Sequence, residues 1–140
     1  MADFQFGGID DLILSLQEIA SIPDTVQDEM LNAQADIAVR AQKRKIRQYR
    51  IYDTGETQRS IKKGRIKVKN GQRVIYVTPV GSRKRGGTIV RNAEILFVNE
   101  FGVRGKSAKP AIRDANEGCA DDAAQAAMDI YDQYLKSKKL

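Results

Sequence analysis

The chain has 140 residues, 24 Lys and Arg against 18 Asp and Glu, and a formal net charge of +6. It contains no histidine and a single cysteine, Cys119, which excludes a nucleophile–His–acid triad, an internal disulfide and the usual nitrogen and sulfur ligands of zinc or haem. No apolar run approaches the ~20 residues that cross a bilayer, and the N-terminus does not resemble a secretion signal. We therefore expect a single cytoplasmic domain with no membrane partner.

The charges are distributed unevenly along the chain. Residues 1–39 contain eight acids and no Lys or Arg, whereas 40–93 contain seventeen bases and two acids, and 94–140 are nearly balanced. This asymmetry indicates either a face that binds nucleic acid or contact between oppositely charged surfaces of neighbouring subunits.

Two helices are predicted in the first 50 residues. Over 9–20, apolar residues recur at helical spacing, so we predict a short amphipathic helix there. A second helix is predicted from Pro23 to about Tyr49, because acids at its start and bases at its end complement the helix dipole. Its apolar stripe comprises Val26, Met30, Ala33, Ile37 and Ala41.

A β-hairpin is predicted in the basic middle of the chain. Asn70-Gly71 is the strongest short signal for a two-residue turn, and alternating residues flank it. This turn places Ile66 opposite Ile75 and Gly64 opposite Val77. One face then carries Ile66, Val68, Ile75 and Val77. The other face carries Arg65, Lys67, Val74 and Tyr76.

The segments after the hairpin have weaker and more varied structural signals. Residues 81–87 place three bases between glycines and are predicted to form a flexible loop, and 88–90 are compatible with a short strand. Residues 93–101 fit either a short helix or a buried strand. A long helix is predicted over 110–136, and its two stripes of small residues leave a shallow surface that another helix can approach closely.

One segment combines an apolar run, an acid, a turn glycine and a Pro-led helix start: Phe97-Val98-Asn99-Glu100-Phe101-Gly102, then Lys109-Pro110-Ala111-Ile112-Arg113-Asp114-Ala115. It resembles the signature of the tail-completion (neck, or head–tail joining) proteins of long-tailed bacteriophages, in which an apolar stretch ends in Glu-Phe-Gly and a Pro-x-Arg-Pro-Ala-like sequence begins a C-terminal helix. Asp114 stands where that family usually has a second proline. The segment Thr54-Gly55-Glu56-Thr57-Gln58-Arg59-Ser60-Ile61 adds to the resemblance, which covers about 54–120, although Gln58 replaces the usual aliphatic residue.

The resemblance implies a short helix over 93–101, and the predicted elements together give an α+β fold. We expect two N-terminal helices (1–50), a small antiparallel sheet built on the hairpin with a connecting segment (57–102), and a long C-terminal helix (110–136). The implied function is structural: a homo-oligomeric, sixfold ring in the virion neck that completes the tail and joins it to the head. The implied partners are the tail terminator or tail tube and the head-side connector, with non-specific proximity to phage DNA, after assembly in the host cytoplasm.

The candidate subunit contacts are Arg83, Lys84, Arg85, Glu100, Phe101, Gly102, Arg104 and Arg113. Several have a structural alternative: Glu100 as an acid that bonds local backbone or pairs with Arg104 or Arg113, Phe101 as a plug at the edge of the core, and Gly102 as a positive-φ turn residue. Because Glu100 has no partner carboxylate or histidine near it in the sequence, we expect no catalytic residue, cofactor or metal site.

Two rival functions remain open at the level of the sequence. The first is a small basic nucleic-acid-binding protein or a histidine-free RNA-cleaving toxin, with which the basic middle is compatible. The second is an adaptor that regulates a host complex. Nucleic-acid readers interleave aromatics with bases, and only Tyr49, Tyr52 and Tyr76 lie nearby. Specific base reading is therefore not expected, whereas general attraction to phosphates is left open.

Overall fold

The structure is a computed structural model that describes residues 2–6, 12–17, 22–51, 55–102 and 104–138, with side chains described for all of these except 2–6, 12–17 and 85. In chain order the elements are β1 (Ala2–Phe6), β2 (Leu12–Gln17), α1 (Asp24–Gln48), α2 (Glu56–Arg59), β3 (Ile61–Lys63), β4 (Lys67–Lys69), β5 (Gln72–Pro79), β6 (Ser82–Arg85), β7 (Thr88–Arg91), α3 (Asn92–Phe101) and α4 (Ala111–Ser137). The fold is α+β, as the sequence predicted.

The main sheet is antiparallel and centres on β5. The strand order is β1-β2-β5-β3, and β4 pairs with the same edge of β5 as β3. The strands β6 and β7 form a separate hairpin. The helix α1 packs against β2, β3 and β5 and also runs along α4, so a single core lies between sheet and helices.

The helix predicted over 9–20 is wrong where the structure describes it. Residues Leu12–Gln17 form strand β2, which pairs with β5 in the register Leu12↔Val77 to Gln17↔Gln72. A short apolar run fits a helix face and a buried strand equally well, so periodicity could not decide between them. Pairing with the second edge of β5 satisfies backbone groups that would otherwise be left without partners. The second predicted helix is confirmed as α1.

The predicted hairpin is confirmed at its turn and changes register farther away. Asn70 and Gly71 have φ of 51° and 76°, as a two-residue turn of this type requires. The pairs Lys67↔Val74 to Lys69↔Gln72 follow the predicted register, but Lys63, and not Gly64, lies opposite Val77. One additional residue between β3 and β4 therefore bulges out of the ladder.

The buried face of α1 is broader than the predicted stripe and only partly coincides with it, because both the sheet and α4 cover this helix. Its fully buried residues are Gln27, Met30, Leu31, Gln34, Ala35, Ala38, Ala41, Gln42 and Ile46. Of the five predicted residues, Met30 and Ala41 are buried, and Ala33 is only half-buried. Val26 and Ile37 are only partly buried against the core. The amide of Gln42 donates to Asn116 Oδ1 of α4 at 3.0 Å, which joins the two long helices inside the core. Ala115, Cys119 and Ala127 of α4 are buried in the core that α1 shares, in agreement with the predicted close approach of another helix, whereas Ala124 of the second small-residue stripe is exposed.

Ion pairs join α1 to the basic sheet within one chain. Arg73 Nη2 lies 2.7 Å from Asp28 Oδ1, and Arg73 Nη1 lies 3.8 Å from Asp24 Oδ2. Lys63 Nζ lies 2.8 Å from Asp36 Oδ1. Part of the acidic N-terminal segment thus neutralises part of the chain's own basic middle.

Candidate interaction surfaces

The carboxylate of Glu100 caps the start of α4. Its Oε1 accepts the backbone N–H of Ile112 at 3.0 Å, and its Oε2 accepts that of Arg113 at 3.0 Å. Glu100 itself is 8% exposed. Burial raises the pKa of the Glu100 carboxyl, and the two N–H donors oppose that shift. Of the alternatives for Glu100, the structure places it in backbone bonding at a helix N-terminus, where the helix dipole favours an anion.

Gly102 ends α3 in a conformation that favours glycine. Its φ is 75° and its ψ is 169°, as the predicted positive-φ role requires. The following loop folds back so closely that an added Cβ would lie 2.8 Å from Lys106 O and 2.9 Å from Ala108 N. The backbone N–H of Lys109 then donates to Asn99 O at 2.5 Å, which brings the start of α4 to Glu100.

Phe101, between these two structural residues, faces solvent. It is 58% exposed, and Phe97 one turn earlier is 47% exposed, with their ring centroids 5.5 Å apart. The prediction that Phe101 plugs the edge of the core is therefore wrong. Phe97 is not among the predicted contact residues, although residues four apart on a helix are neighbours. We call Phe97, Val98 and Phe101 the α3 patch.

Two shallow depressions border the α3 patch and share Glu94 and Val98. One, of about 300 Å³, is lined by Arg91, Ala93, Glu94, Phe97 and Val98. The other, of about 210 Å³, is lined by Val90, Glu94, Ile95, Val98, Asn99 and Lys106. Exposed aromatic rings beside such concavities are typical of protein interaction surfaces, where aromatic residues are enriched.

The basic segment predicted as a flexible loop is a β-hairpin instead. Ser82–Arg85 pairs with Thr88–Arg91 around Gly86-Gly87, so the tentative strand over 88–90 is confirmed and the loop over 81–87 is wrong. The Arg83 side chain is 6% exposed and its Nη1 lies 3.8 Å from Glu56 Oε2, whereas Lys84 is exposed. The side chain of Arg85 lies outside the described part of the structure.

The two remaining candidate contacts, Arg104 and Arg113, are exposed. Arg113 Nε donates to Asp114 Oδ1 at 3.2 Å, and Asp114 Oδ2 accepts the Tyr49 hydroxyl of α1. The bond from Tyr49 lowers the pKa of the Asp114 carboxyl, and the same bond raises the pKa of Tyr49. This pair therefore ties the end of α1 to the first turn of α4. Tyr52 lies outside the described residues.

Basic residues of β3, β4 and the segment between them share the sheet face that carries Tyr76 of β5. In the register of the sheet, Lys62, Lys67 and Lys69 lie opposite Thr78, Val74 and Gln72, so all share the face of Tyr76. A depression of about 330 Å³ on this face is lined by Gly64, Arg65, Lys67, Lys69, Tyr76 and Thr78. The predicted clustering of Arg65 and Lys67 around Tyr76 is confirmed. We call Lys62, Arg65, Lys67, Lys69 and Tyr76 the basic sheet face.

A concavity of about 460 Å³ lies between α1 and α4. It is lined by Ile37, Arg40, Ala41, Arg44, Lys45, Asp114, Ala115, Gly118, Cys119 and Asp122. Its charges are mixed, and burial raises the pKa of the Cys119 thiol, which disfavours the reactive thiolate. Within the described ranges, acids and Cys119 form no cluster of three or more metal ligands.

Comparison with known proteins gave no match to any protein-family model, curated protein or solved structure. Among the helices of the described segments, none is long and apolar enough to span a membrane. The class that the fold itself defines is a small α+β domain, and its described part includes an exposed aromatic surface and a basic sheet face.

Proposed function

We propose that this protein is a structural component of the neck of a long-tailed bacteriophage, where it completes the tail and joins it to the head as a ring of subunits. The sequence resemblance over about 54–120 supports this proposal. So does the arrangement of its motif: Glu100 and Gly102 serve the fold, while Phe101 lies exposed between them. The motif thus presents an exposed aromatic residue at the end of α3.

The observation that carries the proposal is the α3 patch. Two aromatic rings, each about half exposed, stand side by side on one helix face. Burial of apolar area stabilises by about 25 cal/mol per Å², so covering two phenylalanine rings contributes several kcal/mol to association, on the order of 2–4. Aromatic residues are enriched in protein interfaces, so this pair is the surface best suited to a protein partner.

Charge contributes less to this proposal than the sequence implied. Asp24, Asp28 and Asp36 of the acidic segment are engaged by Arg73 and Lys63 of the same chain. Arg83 lies buried beside Glu56. The favoured subunit contact is therefore the α3 patch of one copy against a different surface of the next. Repetition of this heterologous interface closes into a ring, which the family resemblance implies is sixfold. The ring would stand between the tail terminator or tail tube and the head-side connector.

The test is self-association of the purified full-length chain. Sedimentation velocity across a concentration series, with negative-stain electron microscopy, should show closed rings for the wild type and monomers for Phe97→Ser/Phe101→Ser. Val68→Ser is the matched control, because Val68 is 55% exposed on a different element. Rings formed equally by the double variant, or no oligomer of the wild type at any concentration reached, would count against the proposal.

A second, independent readout is the neighbourhood of the gene. The proposal predicts genes for a capsid protein, a connector and a tail-tube protein beside it. A neighbouring antitoxin-like gene, together with RNA degradation by the purified protein, would favour the rival RNA-cleaving toxin instead.

A further inference from the structure

We propose that the basic sheet face binds single-stranded nucleic acid without sequence preference, with Lys67, Lys69 and their basic neighbours on the phosphates and Tyr76 under a base. The proposal does not rest on the neck function. It concerns a different surface from the α3 patch, so the two can fail separately.

The first argument is charge. Four cationic side chains share one face of a small sheet, and no acid lines the depression at its centre among the residues described. Other bases of the fold pair with acids, for example Lys63 with Asp36 and Arg73 with Asp28. The bases of this face point instead toward solvent, and Arg65, Lys67 and Lys69 are all exposed. Such a surface attracts a polyanion and releases its counterions on binding.

The second argument is the aromatic ring at the centre of these charges. Lys69 Nζ lies 4.8 Å and Lys67 Nζ lies 5.9 Å from the centre of the Tyr76 ring, and Lys69 Nζ donates to the Tyr76 hydroxyl at 2.5 Å. Both ammonium groups stand on flexible stems, so they can move from the ring to phosphates and leave the ring surface to a base. An aromatic platform flanked by cations is the arrangement that binds single strands.

The composition of the basic sheet face favours a nucleic-acid partner over a protein partner. Cores of protein interfaces are depleted in lysine, whereas nucleic-acid interfaces are polar and strongly positive. The exposed acids of α4, which include Glu117, Asp121 and Asp132, could in principle face this surface from a second copy. The described side chains that make up the basic sheet face are cationic or aromatic, which is the composition of a nucleic-acid interface. The α3 patch has the opposite composition, and it is the surface suited to protein.

The test is fluorescence anisotropy with a short labelled single-stranded DNA of mixed sequence and with the corresponding duplex. Four neutralised phosphates give a slope of about −3 for the logarithm of affinity against the logarithm of salt concentration, or about a 50-fold loss between 50 and 200 mM salt. Lys67→Glu/Lys69→Glu should weaken binding more than tenfold and flatten the slope by about 1.4 or more, since two contacts are removed. Tyr76→Leu should weaken single-strand binding by about tenfold.

The controls keep this test independent of folding and of bulk charge. Lys136→Glu/Lys138→Glu makes the same change in net charge at the exposed end of α4 and should leave most of the affinity intact. Lys67→Gln/Lys69→Gln provides a milder variant, and circular dichroism with thermal melting verifies the fold of each. Phe97→Ser/Phe101→Ser should leave DNA binding by the monomer unchanged.

Three outcomes would overturn the proposal. The first is no binding at low salt, and the second is an equal loss of affinity in the α4 control. The third is a duplex bound as tightly as the single strand, with Tyr76→Leu without effect. If the Lys67/Lys69 variants instead abolish self-association while the wild type ignores DNA, the face is a contact between copies and the proposal is wrong.

Discussion

The replacement Gly102→Ala tests whether the end of α3 requires glycine. The backbone at Gly102, with φ 75° and ψ 169°, lies in a region that is accessible essentially to glycine alone and costs other residues about 1–3 kcal/mol. The added Cβ would also lie 2.8 Å from Lys106 O and 2.9 Å from Ala108 N, and both are backbone atoms that cannot rotate away. We therefore expect the free energy of unfolding to fall by about 3 kcal/mol.

Gly118→Ala is the matched control, because it makes the same chemical change within a helix. Gly118 lies exposed inside α4, and an added Cβ would meet no atom within 4 Å. Alanine is favoured over glycine in a helix by about 0.8–1.0 kcal/mol, so this variant should be more stable than the wild type. The same methyl group thus has opposite effects at two positions of one chain.

Thermal and chemical unfolding of the full chain measure both variants. For 140 residues, 1 kcal/mol corresponds to about 3 °C in Tm, which gives a fall of about 10 °C for Gly102→Ala and a rise of about 2–3 °C for Gly118→Ala. Hydrogen exchange should also become faster at the amides of Ile112 and Arg113, because the loop that brings α4 to Glu100 shifts. A fall in Tm no larger than about 3 °C, with unchanged exchange, would refute the reasoning.

The remaining predictions concern the start of α4 and its pH dependence. Glu100→Ala leaves the N–H groups of Ile112 and Arg113 without their acceptor and should lower the free energy of unfolding by about 2–3 kcal/mol in urea titrations. The stability of Glu100→Gln should lie between those of the wild type and Glu100→Ala. A loss below about 0.5 kcal/mol for Glu100→Ala would contradict the capping role. Because burial raises the pKa of Glu100 in the folded state, the wild type should lose stability relative to Glu100→Gln as pH rises through the titration of this carboxyl. The pKa of Asp114 is lower in the folded state than in the unfolded state. Its contribution to the free energy of unfolding is therefore present above the unfolded pKa and is lost as pH falls through the folded pKa. Tyr49→Phe removes the hydrogen bond that is the principal cause of the lowered Asp114 pKa, so this variant should lose less stability on acidification than the wild type. Unfolding at several acidic pH values measures the difference, and identical pH profiles would exclude a stabilising role for the Tyr49–Asp114 bond.

Much of the fold could be predicted from the sequence because it depends on neighbouring residues. The Asn70-Gly71 turn follows from the conformations that these two residues favour, and the register beside it follows from the turn. The long helix α1 follows from its proline start and its charge distribution, and α4 from its small, helix-favouring residues. The positive φ of Gly102 was also predicted, because glycine is the residue that commonly supplies a positive φ in a turn.

Other features depend on contacts between distant segments, and the sequence alone left them undecided or misassigned. Residues 12–17 form a strand because β5 offers an unpaired edge, and the glycine-flanked bases over 82–85 form a strand because 88–91 pairs with them. Gln27, Gln34 and Gln42 are buried because α1 is covered on a broad face, and one of them finds an amide partner on α4. Local pattern cannot predict a burial that depends on which elements pack on both sides of a helix.

The sequence by itself determined the α+β class, the hairpin turn, the two long helices and the segment around Glu100-Phe101-Gly102 as the informative one. Only the tertiary structure decided what each residue of that segment does. The approach of α4 buries Glu100, and the return of the loop leaves no room for a side chain at Gly102, whereas no described element covers Phe101. The difference arises because burial and exposure are set by contacts between segments, and these contacts form only when the chain has folded.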